Sequence, residues 1–300
     1  MTLNTESILD SSDIQAWIVC IISTLSSIGS LISIITFLEF QFLFSYPRNM
    51  FFFFTLVDFL AGILIVTGFA LKVSKCIEIH FVYGVFMYAF FVEFLWLSAI
   101  SHAIFMELKD KKTSIWIMRN TSEAIERNMI IPKGEKMRIR KRRYIIYHVI
   151  CWGIPTLYYL FVQMLFNPCD ENVHPAIWLV PEILTLAFSV YYAIRNTILA
   201  RECIRLLGLG TDGASIDGTN FSRYGVYFGM ICVFGVTRFP AVCSAIFRAI
   251  LEDEFNSNNS TSRWLLGIDA ILSPMQGIFL CLWFSSKFKY HQLWWTKKWY

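Results

Sequence analysis

Residues 50–71 read MFFFFTLVDFLAGILIVTGFAL, twenty-two positions with one charge, Asp58. About 20 mostly apolar residues in a helix cross about 30 Å of hydrocarbon. A membrane barrel would instead show alternating segments of about 10 residues. This stretch is therefore a membrane-spanning helix. Working outward, six more runs have the same character: Ile14–Phe40, Ile79–Leu108, Tyr144–Leu165, Trp178–Ala200, Tyr224–Ile250 and Trp264–Phe284. The spacing predicts an all-α membrane protein, a seven-transmembrane helix bundle over 14–284. Residues 1–13 form a short extracellular amino terminus, and 285–300 a cytoplasmic tail. Only 16% of residues are charged, and the mean hydropathy is +0.53. A soluble domain carries about 25% charge, so a water-soluble fold would have to bury nearly every helix completely. The first 13 residues contain no Lys or Arg, and the apolar run after them is too long for a cleaved signal.

Lys and Arg set the orientation. With the amino terminus outside, 20 basic residues fall in inner segments and 3 in outer ones, which is the asymmetry that retains loops in the cytoplasm. Twelve of the 20 lie between residues 109 and 143, read as one long basic loop. Within it, Arg138, Arg140, Lys141, Arg142 and Arg143 face either anionic lipid or a cytoplasmic partner. The last outer loop holds overlapping N-glycosylation acceptors at Asn258 and Asn259. After the last run, Lys287, Lys289, Lys297 and Lys298 alternate with Phe288, Trp294, Trp295 and Trp299, the composition of a short interfacial helix.

Eight cysteines are scattered singly, without a CxxC or Cys/His pattern, so neither a metal site nor a cofactor is expected. Cys76, just before the third span, and Cys169, after the fourth, both fall on the oxidising side. A bond between them would pin the second outer loop over the third span. Ionisable groups inside spans are costly and point to function. Glu93, Glu182, Arg238 and Asp269 lie at depths from which they can line a cavity open to the outside. Arg238 can pair with Glu93 or with Asp269, and a structural ion pair without a ligand role is the competing reading. Asp58 and His102, in the inner halves of spans two and three, form a second polar group, either a switch or a plain interhelical hydrogen bond. Pro155, Pro240 and Pro274 fall inside spans, where each removes a helical hydrogen bond and kinks the chain.

Three stretches resemble the slime-mould cyclic-AMP receptor-like and secretin-like family of G-protein-coupled receptors. They are Phe94-Leu95-Trp96-Leu97-Ser98, Tyr147 to Pro155, and Ser273-Pro274-Met275-Gln276-Gly277. The resemblance implies a receptor for an extracellular ligand that activates a heterotrimeric G protein. It also makes Trp96 and Gln276 candidates for the activation switch, beside the Asp58 and His102 group and the kink at Pro240. The short segments 1–13 and 285–300 depart from the cysteine-rich ectodomain and the long Ser-rich tail expected of these relatives, which argues against cyclic AMP as the ligand. A seven-span transporter or channel is the alternative, although no repeated three-span halves are visible. A retinal protein needs a Lys in the seventh span, and none lies in 265–284. No catalytic constellation appears, and no nucleic-acid partner is expected.

Overall fold

The computed structural model describes residues 11–40, 46–47, 49–73, 79–120, 133–165, 176–206, 229–230, 232–240, 243, 268 and 271–288. Six continuous helices lie among them: α1 (Ser11–Glu39), α2 (Asn49–Val73), α3 (Ile79–Asn120), α4 (Lys133–Leu165), α5 (Ala176–Leu206) and α7 (Gln276–Phe288). Helical residues 229–230 and 232–240 are labelled α6. No strand occurs among the described residues.

Among the described residues, five stretches are long and apolar enough to cross a bilayer: Trp17–Glu39, Asn49–Gly68, Tyr88–Ser114, Met137–Val162 and Ile183–Cys203. They coincide with the first five runs expected from the sequence. The sixth and seventh runs are represented by α6 and by the shorter α7. Of the five spans, 78% of the third is buried, against 17–44% for the others. α3 is thus the central helix, packed against α2, α4 and α5, while α1 closes the far side against α2 and α7.

The outer faces are apolar. Ile21, Leu25, Ile28 and Leu38 on α1, Val149, Leu157 and Phe161 on α4, and Leu184, Tyr191 and Ile194 on α5 are all exposed. In water such contiguous surface would be an aggregation liability, so this is a multi-pass membrane protein whose solvent on these faces is lipid. The polarity gradient is inverted on α1. Ser23, Ser26, Ser30 and Ser33 are buried in a stripe at helical spacing. Lipid provides no hydrophobic drive for helices to associate, so small residues and hydrogen bonds do the work. Gly277 N donates to Ser26 Oγ at 2.8 Å, and a side-chain carbon added at Gly29 would lie 2.9 Å from the Gly277 carbonyl oxygen. Close backbone approach therefore fixes α1 against α7. On its other faces α3 packs through rings. Trp96 stacks on Phe53 with centroids 5.3 Å apart, and Phe94 meets Phe234 edge-on at 4.9 Å.

Two boundaries differ from the sequence reading. The connector 109–143 was expected as a loop, yet α3 runs on to Asn120 and α4 begins at Lys133. Hydropathy marks where lipid ends, not where a helix must stop, and Lys, Glu, Met and Arg are good helix formers. The extensions are tied by two ion pairs of matching spacing. Arg140 grips both carboxylate oxygens of Glu107, and Arg143 Nη1 lies 3.4 Å from Asp110 Oδ2. The seventh run is also broken. Ser273-Pro274-Met275 form a turn, Met275 N donates to Leu272 O at 3.1 Å, and α7 starts only at Gln276. Pro274 lacks the N–H that would continue the ladder. Pro155, by contrast, sits inside an uninterrupted α4, as membrane helices tolerate when neighbours satisfy the freed carbonyl.

Candidate functional site

A buried polar network joins five helices near the middle of the protein. Glu93 projects from α3 and is fully buried, and Arg238 on α6 is 3% exposed. Arg238 Nη2 donates to Glu93 Oε2 at 2.8 Å, and Nη1 donates to Ser273 Oγ at 3.1 Å, just before the Pro274 turn. The amide nitrogen of Gln276, the first residue of α7, donates to Glu93 Oε1. Both oxygens of Glu93 are therefore engaged, one by a cation and one by an amide. Thr237 Oγ1 donates to Gln276 Oε1 at 3.4 Å, which orients the amide. The guanidinium plane covers the Phe90 ring at 3.9 Å from its centroid, a cation–π contact strengthened by the absence of water.

Asp58 on α2 extends the network to α1, where Ser30 donates to it. It lies near enough to interact electrostatically with both Arg238 and Glu93. Two carboxyls and one guanidinium thus share a site removed from water, and one hydrogen-bond donor of that site, Arg238 Nε, has no partner among the described residues. Charges inside a membrane protein interact strongly because little water screens them. Chemically the arrangement is a latch. It clamps α3, α6 and α7 together, and it can be loosened by any group that competes for the guanidinium or the carboxylates.

The structure brings together Glu93, Arg238, Asp58 and Gln276 from the sequence candidates. It gives Asp58 and His102 different partners. His102 Nδ1 lies 2.7 Å from Tyr147 Oη on α4, between the rings of Tyr147 and Tyr192. Tyr46, in the turn before α2, belongs to the same end, and burial pushes its phenol well above the usual tyrosine range. Trp96 is fully buried, edge-on to His148 at 4.9 Å, and its indole nitrogen has no acceptor among the described residues. Pro240, the last residue of the described stretch of α6, is buried. Glu182 lies within α5, with its side chain outside the description. Cys76, Cys169, Asp269, Asn258 and Asn259 lie outside the described residues. Of the basic run, Arg140 and Arg143 are committed to α3, and Arg138, Lys141 and Arg142 are exposed.

Sequence reasoning missed Ser30, Ser273 and Thr237 as network members, and Glu107 and Asp110 as partners of the arginines. The serine stripe of α1 was visible as a periodicity. So was the shared i, i+3 spacing of Glu107/Asp110 and Arg140/Arg143. A further polar tie, Ser98 Oγ 2.7 Å from Ser189 Oγ, links α3 to α5. No known family model matches the chain, and no curated protein is significantly similar to it.

Proposed function

We propose that the chain is a G-protein-coupled receptor with seven spans and its amino terminus outside. In this reading it binds an extracellular ligand in the outer half of the bundle and promotes nucleotide exchange on a heterotrimeric G protein at its cytoplasmic face. The observation that carries the reading is the buried Glu93–Arg238 pair, hydrogen-bonded to Ser273 and Gln276 on either side of Pro274. An ion pair held out of water is expensive and marks function in membrane helices. Glu93 lies near the middle of the run Ile79–Leu108, at the floor of a cavity that opens outward in the proposed orientation. A polar ligand that prefers the loosened state shifts the population toward it, and the broken helix supplies the hinge. The three motif resemblances in spans three, four and seven support the same class, and the basic bias supports the orientation and a plasma-membrane location.

The test is a ligand screen on purified protein in vesicles with heterotrimeric G proteins, read by binding of a non-hydrolysable GTP analogue. An active ligand should stimulate exchange, and Arg238→Gln should lower its potency more than it lowers surface level. Solute flux across the vesicles without exchange would replace the receptor by the transporter alternative. An epitope tag after Tyr300 that antibody reaches in intact cells would overturn the orientation.

A further inference from the structure

At the end of α3 distant from Glu93, α3 and α5 enclose a cavity of about 440 Å³, within the range of pockets that hold small ligands. Its charged lining is Lys109 and Lys112 from α3 with Arg195 and Glu202 from α5. Glu202 is engaged by Lys112 Nζ at 2.6 Å and also lies in the field of Arg195. Three cations against one carboxylate leave an excess of two positive charges. Neither Lys109 nor the Arg195 guanidinium has a hydrogen-bonded acceptor among the described residues, and Arg195 rests 6.0 Å from the Phe105 ring centroid.

Position decides which kind of anion suits this lining. Arg195 lies inside the span Ile183–Cys203 rather than beyond its end. Its neighbours Ile194 and Ile198 are 57% and 47% exposed on the apolar belt. An arginine at this depth on a lipid-facing surface reaches toward headgroups and requires a counter-charge. The cavity therefore opens where phospholipid headgroups sit, its cations lining it together with the apolar Phe105 and Ile198.

We propose that this cavity binds the phosphate of an anionic phospholipid, held by Lys109, Lys112 and Arg195, with its glycerol and acyl chains along Phe105 and Ile198. Basic pockets between spanning helices recognise such headgroups. The assignment rests on α3 and α5 crossing the bilayer and is independent of the receptor reading. It is distinct from the general attraction exerted by Arg138, Lys141 and Arg142, which project from α4 and do not line the cavity.

The test is native mass spectrometry of the full chain in detergent, titrated with phosphatidic acid and, separately, with phosphatidylcholine. Insertion direction does not enter this measurement, so a wrong orientation and a wrong site are distinguishable. Phosphatidic acid should bind in preference to phosphatidylcholine. Lys109→Gln together with Arg195→Gln should weaken it about 25-fold, at about fivefold per cation. Arg201→Gln with Arg205→Gln removes the same charge from α5 outside the cavity and should change binding less than about twofold. Lys109→Arg with Arg195→Lys, which keeps the charge, should retain binding and so separates charge recognition from a folding defect. The proposal is overturned by equal losses in the two Gln pairs, by loss in the charge-keeping pair, or by absence of preference for the anionic lipid. Displacement of phosphatidic acid by a soluble acidic peptide would also overturn it, and would assign the cavity to a protein partner.

Discussion

Replacing Glu93 by Gln keeps the shape of the side chain and removes its charge, leaving Arg238 buried with Asp58 as the remaining carboxylate of the network. Breaking one partner of a buried pair costs about 3–5 kcal/mol. The lower figure applies here because Asp58 partly compensates, and at roughly 2–4 °C per kcal/mol for a chain of this size the melting temperature falls by about 6–12 °C. Arg238→Gln is worse. It leaves Glu93 and Asp58 facing one another with no cation between them, so the higher figure applies and the fall is about 10–20 °C. The double variant, Glu93→Gln with Arg238→Gln, removes the uncompensated Glu93 and has two amides able to hydrogen-bond to each other, with Asp58 still held by Ser30. It should lie closer to wild type than Arg238→Gln alone. The assay is built into the molecule. Cys151 and Cys203 are buried free thiols, so a thiol-reactive fluorophore reports unfolding during a temperature ramp in detergent. Because the two residues are in contact, the cycle should show a coupling between them. If the double variant loses the sum of the two single losses, the groups do not interact and the latch is refuted.

Two further outcomes follow from packing. Gly277→Ala places a carbon against Ser26 and Ser30 of α1 and should cost about 1–3 kcal/mol by overpacking. Gly153→Ala, with nothing within 4 Å of the added carbon, should be neutral or slightly stabilising through helix propensity; equal thermal shifts would contradict the close approach. At the charged ends, Glu107→Arg should cost about 1 kcal/mol or more, and adding Arg140→Glu should restore part of it. No recovery in the same melting assay would mean that the α3–α4 pairing is incidental.

The long helices were legible because hydrocarbon imposes a length and a composition together. Their packing register was not. In a soluble protein polarity tells the inside from the outside, but in α2 the buried Phe51 and Phe54 and the exposed Leu60 and Ile63 are equally apolar. Glu93 and Arg238 were legible as site candidates because ionisable groups are rare at that depth. The choice of Glu93 as partner depended on how α3 and α6 face each other, which apolar runs do not encode. Asp58 and His102 were grouped by depth alone. Depth carries no information about direction around a helix, and the two residues point to α1 and to α4 respectively. The serine stripe on α1 carried the register in plain view, since a row of small hydroxyls at helical spacing has no reason to face lipid.

The unbroken length of α3 has a mechanical consequence. From Glu93 to Asn120 the helix contains neither Gly nor Pro, so it behaves as a rod of about 40 Å. A tilt of about 5° pivoting at Glu93 would sweep its far tip through about 3–4 Å. Because Glu107 and Asp110 are fastened to Arg140 and Arg143, α4 would be carried with it. A displacement at the pivot too small to disturb side-chain packing would thus arrive at the opposite end as a shift comparable to the width of an atom, amplified by leverage alone.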